Sequence, residues 1–263
     1  MAVFQDQLGN SILLDKTPKR IISLVPSITE LLFDLGLDEE IIGITDFCIH
    51  PKEKISGKKK IGGTKKLNIE KIVSLQPDLI IGNKEENEKQ QIEELQKHFP
   101  VWVSDIKELD EALAMIHETG KITGREQKAV EINNKIEKEF HSLSNETSGA
   151  RKRTILYFIW KKPFMVAGKN TFIDHLLQLC SLENLANQSR YPEMDAGQIK
   201  KPDPEFIFLS SEPFPFSEKH IAEFKTICPN SAIVLVDGEM FSWYGSRLQH
   251  SPSYFRKLLA KLY

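Results

Sequence analysis

The chain has 263 residues, with 35 Lys and Arg against 37 Asp and Glu for a formal net charge of −2, and 40% of its residues are hydrophobic. A balance this close to neutral gives no general attraction for nucleic acid or anionic membrane, and the apolar runs, such as residues 79–82 and 233–236, are strand-sized, far short of the roughly 20 residues that span a bilayer. The length suits two compact lobes better than one small core, and Cys48, Cys180 and Cys228 are too scattered for a disulfide framework or a CxxC site, which predicts small buried hydrophobes.

In chain order, residues 4–14 read as a polar hairpin broken at Gly9-Asn10. Residues 20–25 are an apolar run of strand length, ended by Pro26-Ser27. Ser27 followed three residues on by Glu30 has capping-box spacing, which predicts a helix over residues 28–35 that stops at Gly36. A second strand follows at 41–44. Residues 68–75 read as a helix with Ile69, Ile72 and Val73 on one face, and Pro77-Asp78 turns it into a third strand at 79–81. A charged helix over 86–98 and a fourth strand at 101–103 complete the first half. Strands alternating with helices predict a parallel sheet covered on both faces.

The middle of the chain carries helix signals alone. Leu113, Ile116 and Ile122 belong to a helix ending near Gly124. Ala129, Ile132, Ile136, Phe140 and Leu143 recur three or four apart, which predicts one long helix closed by residues 144–149. From there the first half repeats in order: a strand at 154–159, a helix at 171–180, helical residues Gln198-Ile199, a strand at 204–209 and a strand at 232–237. Ordered repetition is harder to obtain by chance than local likeness. The predicted organisation is therefore α/β: an N-terminal lobe over residues 1–108, a connecting helical segment over 109–148, and a C-terminal lobe over 149–263. Two parallel-sheet lobes bridged by one long α-helix leave a cleft, and ligands bind at domain interfaces and at the carboxyl ends of parallel strands.

The chemistry-bearing residues point to binding. No nucleophile elbow, P-loop or dinucleotide fingerprint is present, and no histidine pair has zinc-site spacing, so no catalytic residue, metal site or cofactor is expected. Gly62-Gly63-Thr64 reads as a turn. Lys58, Lys59, Lys60, Lys65 and Lys66 form a basic patch, either a solvated loop or a contact for an anionic ligand group or partner. His50 stands apart from the other histidines because it lies in the loop after a strand. Phe47, Trp160, Phe164, Phe214, Phe216, Phe241, Trp243 and Tyr244 all follow predicted strands, and loops rarely carry so many rings unless they line a site. The alternative is ordinary packing between lobes. Residues 237–247 are the densest stretch, joining Phe241, Trp243 and Tyr244 to the fixed cation Arg247, as a pocket for a large planar or partly charged ligand would.

Three segments carry a resemblance. Residues 20–30, RIISLVPSITE, residues 68–80, NIEKIVSLQPDLI, and residues 163–172, PFMVAGKNTF, resemble the signatures of the ABC-importer substrate-binding proteins for cobalamin, ferric siderophores and haem, nearest the cobalamin-binding branch. The likeness runs from about Pro18 to Leu259 and implies a fold of the class III periplasmic-binding-protein type. It also implies a monomer that captures a corrinoid or ferric chelate and delivers it to an ABC permease, without enzymatic activity or nucleic-acid binding. The expected ligand set is Phe47, His50, Lys65, Trp160, Phe164, Phe241, Trp243, Tyr244 and Arg247. Phe47 matches the family's stacking aromatic, whereas Thr64-Lys65-Lys66 stands where a tryptophan is usual. The family docks through one glutamate per lobe. Glu70 fits the first, while Gly197 occupies the second position, with Asp195 and Glu193 nearby. The resemblance implies a periplasmic or membrane-associated extracytoplasmic location. Residues 1–6 lack a basic segment leading into an apolar one, so the alternative is a cytosolic chaperone or sensor of the same fold.

Overall fold

A computed structural model describes residues 2–262. The chain divides into two compact units. Unit 1 holds the chain to Ile106, Asp110–Lys135 and Tyr244–Arg247; unit 2 holds Lys107–Leu109, Ile136–Trp243 and the chain from Leu248 on.

Unit 1 opens with the hairpin β1 (Ala2–Gln5) and β2 (Ser11–Leu14). Its turn is closed by the Asp6 carboxylate, which accepts from the backbone N–H groups of Leu8 and Asn10. Then come β3 (Ile21–Ser23), α1 (Pro26–Asp34), β4 (Ile41–Ile44), α2 (Lys52–Ile55), β5 (Lys59–Lys60), β6 (Gly62–Gly63), β7 (Lys66–Leu67), α3 (Ile69–Ser74), β8 (Leu79–Asn83), α4 (Lys89–Gln96) and β9 (Val101–Ser104). The main sheet runs β5-β4-β3-β8-β9, with every neighbour parallel. Residues of β3, β8 and β9 are buried throughout. This is why they read as continuous apolar runs and not as alternating ones: a parallel strand is covered on both faces.

The start of α1 departs from the sequence reading. The helix begins at Pro26, whose fixed φ suits a first turn, and its N-cap is Val25 with no side-chain cap. Ser27 lies inside the helix with a buried hydroxyl that has no hydrogen-bond partner. Glu30 is bound to Arg247 instead of closing a capping box.

Two helices lead out of the first sheet, α5 (Leu109–Ile122) and α6 (Glu126–Thr147). They approach closely because Gly120 faces Ala129, and a Cβ at Gly120 would overlap the Ala129 methyl. The 22 residues of α6 are one unbroken helix, longer at its C-terminal end than the sequence suggested. Its buried face is Ala129, Ile132, Ile136, Phe140 and Leu143, as the spacing predicted. The helix bridges the units along the chain: its residues to Lys135 group with unit 1 and those from Ile136 with unit 2.

Unit 2 contains β10 (Arg153–Trp160), β11 (Met165–Val166), α7 (Phe172–Leu179), β12 (Leu182–Asn184), α8 (Ala196–Lys200), β13 (Phe206–Ser210), α9 (Ile221–Ile227), β14 (Ala232–Val236), α10 (Glu239–Ser242) and α11 (Ser251–Leu262). Its sheet runs β11-β10-β13-β14, with β12 also parallel on β10; β11 alone is antiparallel. The internal repeat is therefore topological. The order β4-β3-β8-β9 reappears as β12-β10-β13-β14, with α1 matched by α7 and α3 by α8. Leu156, Phe158, Ile207, Leu209 and Phe224 form the core of the second sheet. Cys48, Cys180 and Cys228 are buried free thiols. Among the described residues, no helix is long and apolar enough to cross a membrane.

Candidate functional site

In each unit the candidate residues fall at the carboxyl ends of the parallel strands, where side chains from successive loops meet. In unit 1, Phe47 follows β4 and is 61% exposed. Its ring lies on the backbone of Gly63, where a Cβ would stand 3.0 Å from the ring edge, so the glycine turn gives this phenylalanine its seat. Lys60 fixes the same loop by donating to the carbonyls of Thr45 and Cys48. His50 is half-buried. Lys65 is exposed, donating to the Glu85 carbonyl at 2.7 Å and pairing with Glu88 at 3.5 Å.

In unit 2, Trp160 is the last residue of β10, not a loop residue, and is 39% exposed. Its indole N–H donates to the Lys162 carbonyl, and Phe214 meets it edge-on at 5.7 Å. Phe214 is itself tied to the end of β10 through its backbone N–H to Ile159 O. The sequence placed Phe214 among the aromatic loops but gave no reason to choose it; what singles it out is the β10–β13 pairing, which brings their ends together. Phe164 is half-buried and packs against Phe158 and Phe224, so one face of it belongs to the core.

The stretch 237–247 requires correction. Phe241 is 0% exposed, packed against Tyr157 at 5.2 Å and Phe255 at 4.6 Å, and has no face left for a ligand. Trp243, 6% exposed, donates its indole N–H to Glu212 at 2.9 Å. Tyr244, 7% exposed, donates its hydroxyl to Glu86 at 2.5 Å. Arg247 is not an open cation, because its guanidinium holds Glu30 through bonds of 2.9 and 2.6 Å. The sequence misread this segment because rings and a cation beside a strand describe an internal anchor as well as they describe a pocket.

Glu212 is the electrostatic centre of these loops. Burial pushes its carboxyl above the ordinary range, the hydrogen bonds from Ser242 and Trp243 oppose this, and Glu239 and Asp237 add to the rise. Such a group contributes stability that is fully present below its unfolded pKa and lost as pH rises through the folded one. A glutamine keeps the acceptor for Ser242 and Trp243 without the charge. Glu212→Gln should therefore melt higher than the wild type near about pH 8, with the difference closing toward about pH 4. Thermal unfolding across that range checks this; a difference independent of pH would refute it.

The starts of α3 and α8 match residue by residue. Asn68 caps α3 by accepting from Lys71 N, and Asp195 caps α8 in a reciprocal capping box with Gln198. Ile72 and Ile199 are the buried anchors. Glu70 and Gly197 then occupy the same turn, both exposed, as are Glu193 and Asp195. Each helix start borders an open surface hollow: about 520 Å³ lined by Asp46, Lys66, Asn68, Ile69 and Glu70 in unit 1, and about 580 Å³ lined by Lys162, Phe164, Glu193, Asp195 and Gln198 in unit 2. Among the described residues no cluster of three His, Cys, Asp or Glu side chains could hold a metal ion.

Two α/β units, each built on a parallel sheet and joined through one long helix, define the class III periplasmic-binding-protein fold. The sequence profile described as periplasmic binding protein matches residues 21–226, and the chain belongs to that family. It is 25% identical over 239 residues to a vitamin B12-binding protein of Pectobacterium carotovorum subsp. carotovorum (strain PC1), covering 88% of this chain and 84% of that protein. It is 26% identical to the ABC transporter substrate-binding lipoprotein YvrC of Bacillus subtilis (strain 168), covering 77% of this chain and 67% of that one. Among solved structures it superposes on a possible iron-binding (periplasmic solute-binding) protein from Staphylococcus epidermidis ATCC 12228 with a TM-score of 0.78 at 25% identity, covering 94% and 100% of the two chains.

Proposed function

We propose that this chain is the substrate-binding component of an ABC importer and captures a corrinoid or a ferric chelate on its strand-end loops, outside the cytoplasm. The observation that carries this reading is the pair of exposed rings at strand ends in a member of this family: Phe47 after β4, and Trp160 at the end of β10 with the half-buried Phe214 edge-on to it. Rings left in water at a strand end gain when a flat apolar surface covers them, on the order of 1 kcal/mol per ring pair beyond the area removed from water. Lys65 and Lys66, exposed beside Phe47's glycine turn, offer charge to peripheral carboxylates of such a ligand. Capture is then complementarity without bond chemistry. Names of relatives that bind vitamin B12 or iron support the ligand class.

Equilibrium dialysis against cyanocobalamin, haemin and several ferric siderophores tests the reading. Saturable binding of at least one, with Kd below about 100 μM, is expected; a capture protein weaker than that would retain little ligand. Failure of all of them would overturn it.

Delivery to a permease is proposed to use the paired surfaces at α3 and α8. Glu70 projects from the first, and Asp195 with Glu193 borders the second. Glu70→Lys should weaken association with the reconstituted permease about tenfold, and more strongly at low salt, because an exposed interfacial charge acts within a screening length of roughly 10 Å. Association unchanged by the reversal would remove Glu70 from the interface.

A further inference from the structure

In the segment 237–247 the rings Phe241, Trp243 and Tyr244 and the guanidinium of Arg247 all have internal partners, an arrangement that suits a structural role. The chain leaves unit 2 after Trp243, lends Tyr244–Arg247 to unit 1, and returns at Leu248. Those four residues are seated as firmly as core. Tyr244 and Ser246 are buried, Tyr244 is held by Glu86, and Arg247 clamps Glu30 on α1 with two bonds. Gly245 lies so close to α1 that a Cβ there would stand 2.6 Å from the Ser27 carbonyl oxygen, so any larger residue would force the backbone apart. Immediately beyond, Leu248 is fully buried and the Ser251 hydroxyl donates to Met240 O, so α11 starts a few residues from the clamp. Helix α11 then packs in unit 2, through Phe255 on Phe241 and Phe140 and through Arg256 on Glu139 and Glu146 of α6.

The geometry points to a strap: Tyr244–Arg247 folds as part of unit 1 and ties the C-terminal helix α11 to it, so that α11 opens only when the clamp on α1 is released. Beside α6, the strap is thus a further place where the chain passes from one unit to the other.

Local opening is read by amide hydrogen exchange, which resolves helices that open separately from the rest of the fold. The test compares the full-length wild type with Arg247→Met, Glu30→Gln, the double variant and Tyr244→Phe, all without ligand, so its outcome stands apart from the binding proposal. In Arg247→Met and in Glu30→Gln, the α11 amides should exchange about tenfold faster, while those of β13 keep the wild-type rate. Two residues in one clamp are coupled, so the double variant should open α11 no faster than either single change. Tyr244→Phe removes one hydroxyl and should speed α11 less, in the same direction; it decides the matter if the arginine variant fails to fold. Unchanged α11 exchange, an equal acceleration in β13, or additive effects in the double variant would each overturn the strap.

Discussion

Trp160→Ala should weaken ligand binding at least about tenfold while changing folding stability by less than about 1 kcal/mol. Both parts follow from its position. The side chain is 39% exposed at the last residue of β10, and its one hydrogen bond runs to the nearby Lys162 carbonyl. Little core is lost with it, and Phe214 keeps its backbone bond to Ile159. A stacking ring in a binding site, by contrast, is the kind of residue on which affinity concentrates, because it loses water only when the ligand covers it. Fluorescence titration of the wild type and the variant with whichever ligand binds, together with a thermal melt of each, checks both halves. Equal affinity would move the site away from β10, and a large loss of stability would make Trp160 a core residue.

Phe241→Ala should have the opposite profile, a destabilisation of roughly 3–5 kcal/mol with no specific effect on the binding that remains. The ring is fully buried and meets Tyr157, Tyr254 and Phe255 within 6.2 Å. Removing it opens a cavity that these neighbours can close only in part, and each edge-to-face pair lost adds to the transfer cost. Urea unfolding followed by far-UV circular dichroism measures the change. A loss below about 1 kcal/mol would contradict the packing described for α10 and α11.

The contrast between these two aromatic residues shows what the sequence made legible. The positions of these strands along the chain and the long helix were readable because burial on both faces of a parallel strand, and on one face of a helix, leaves a periodic record: Leu79-Ile80-Ile81 in one unit, Phe206-Ile207-Phe208-Leu209 in the other, and the three-and-four spacing of Ala129 to Leu143. Capping was misleading at Ser27, because Pro26 begins the helix two residues before Ile28, and the caps at Asn68 and Asp195 were not read from the sequence at all. The site was readable only as a class of positions. Phe47, Trp160 and Phe241 all lie at or beyond a strand end, and nothing local to them tells an exposed ring from a buried one. Whether a ring faces water depends on partners far away in sequence, such as Phe255 for Phe241 and Glu212 for Trp243. The same holds for Arg247, whose partner Glu30 lies at the other end of the chain.

The proposed function has ligand captured on strand-end loops. Hydrogen exchange of the protein with and without a saturating corrinoid or ferric chelate tests it most directly. Protection should appear in the loops that carry Phe47 and His50, Trp160 to Phe164, and Phe214, while α10, α11 and the hairpin β1–β2 keep their ligand-free rates. A ligand that binds but protects only other segments, or that leaves either the Phe47 loop or the Trp160 and Phe214 loops unprotected, would contradict the account.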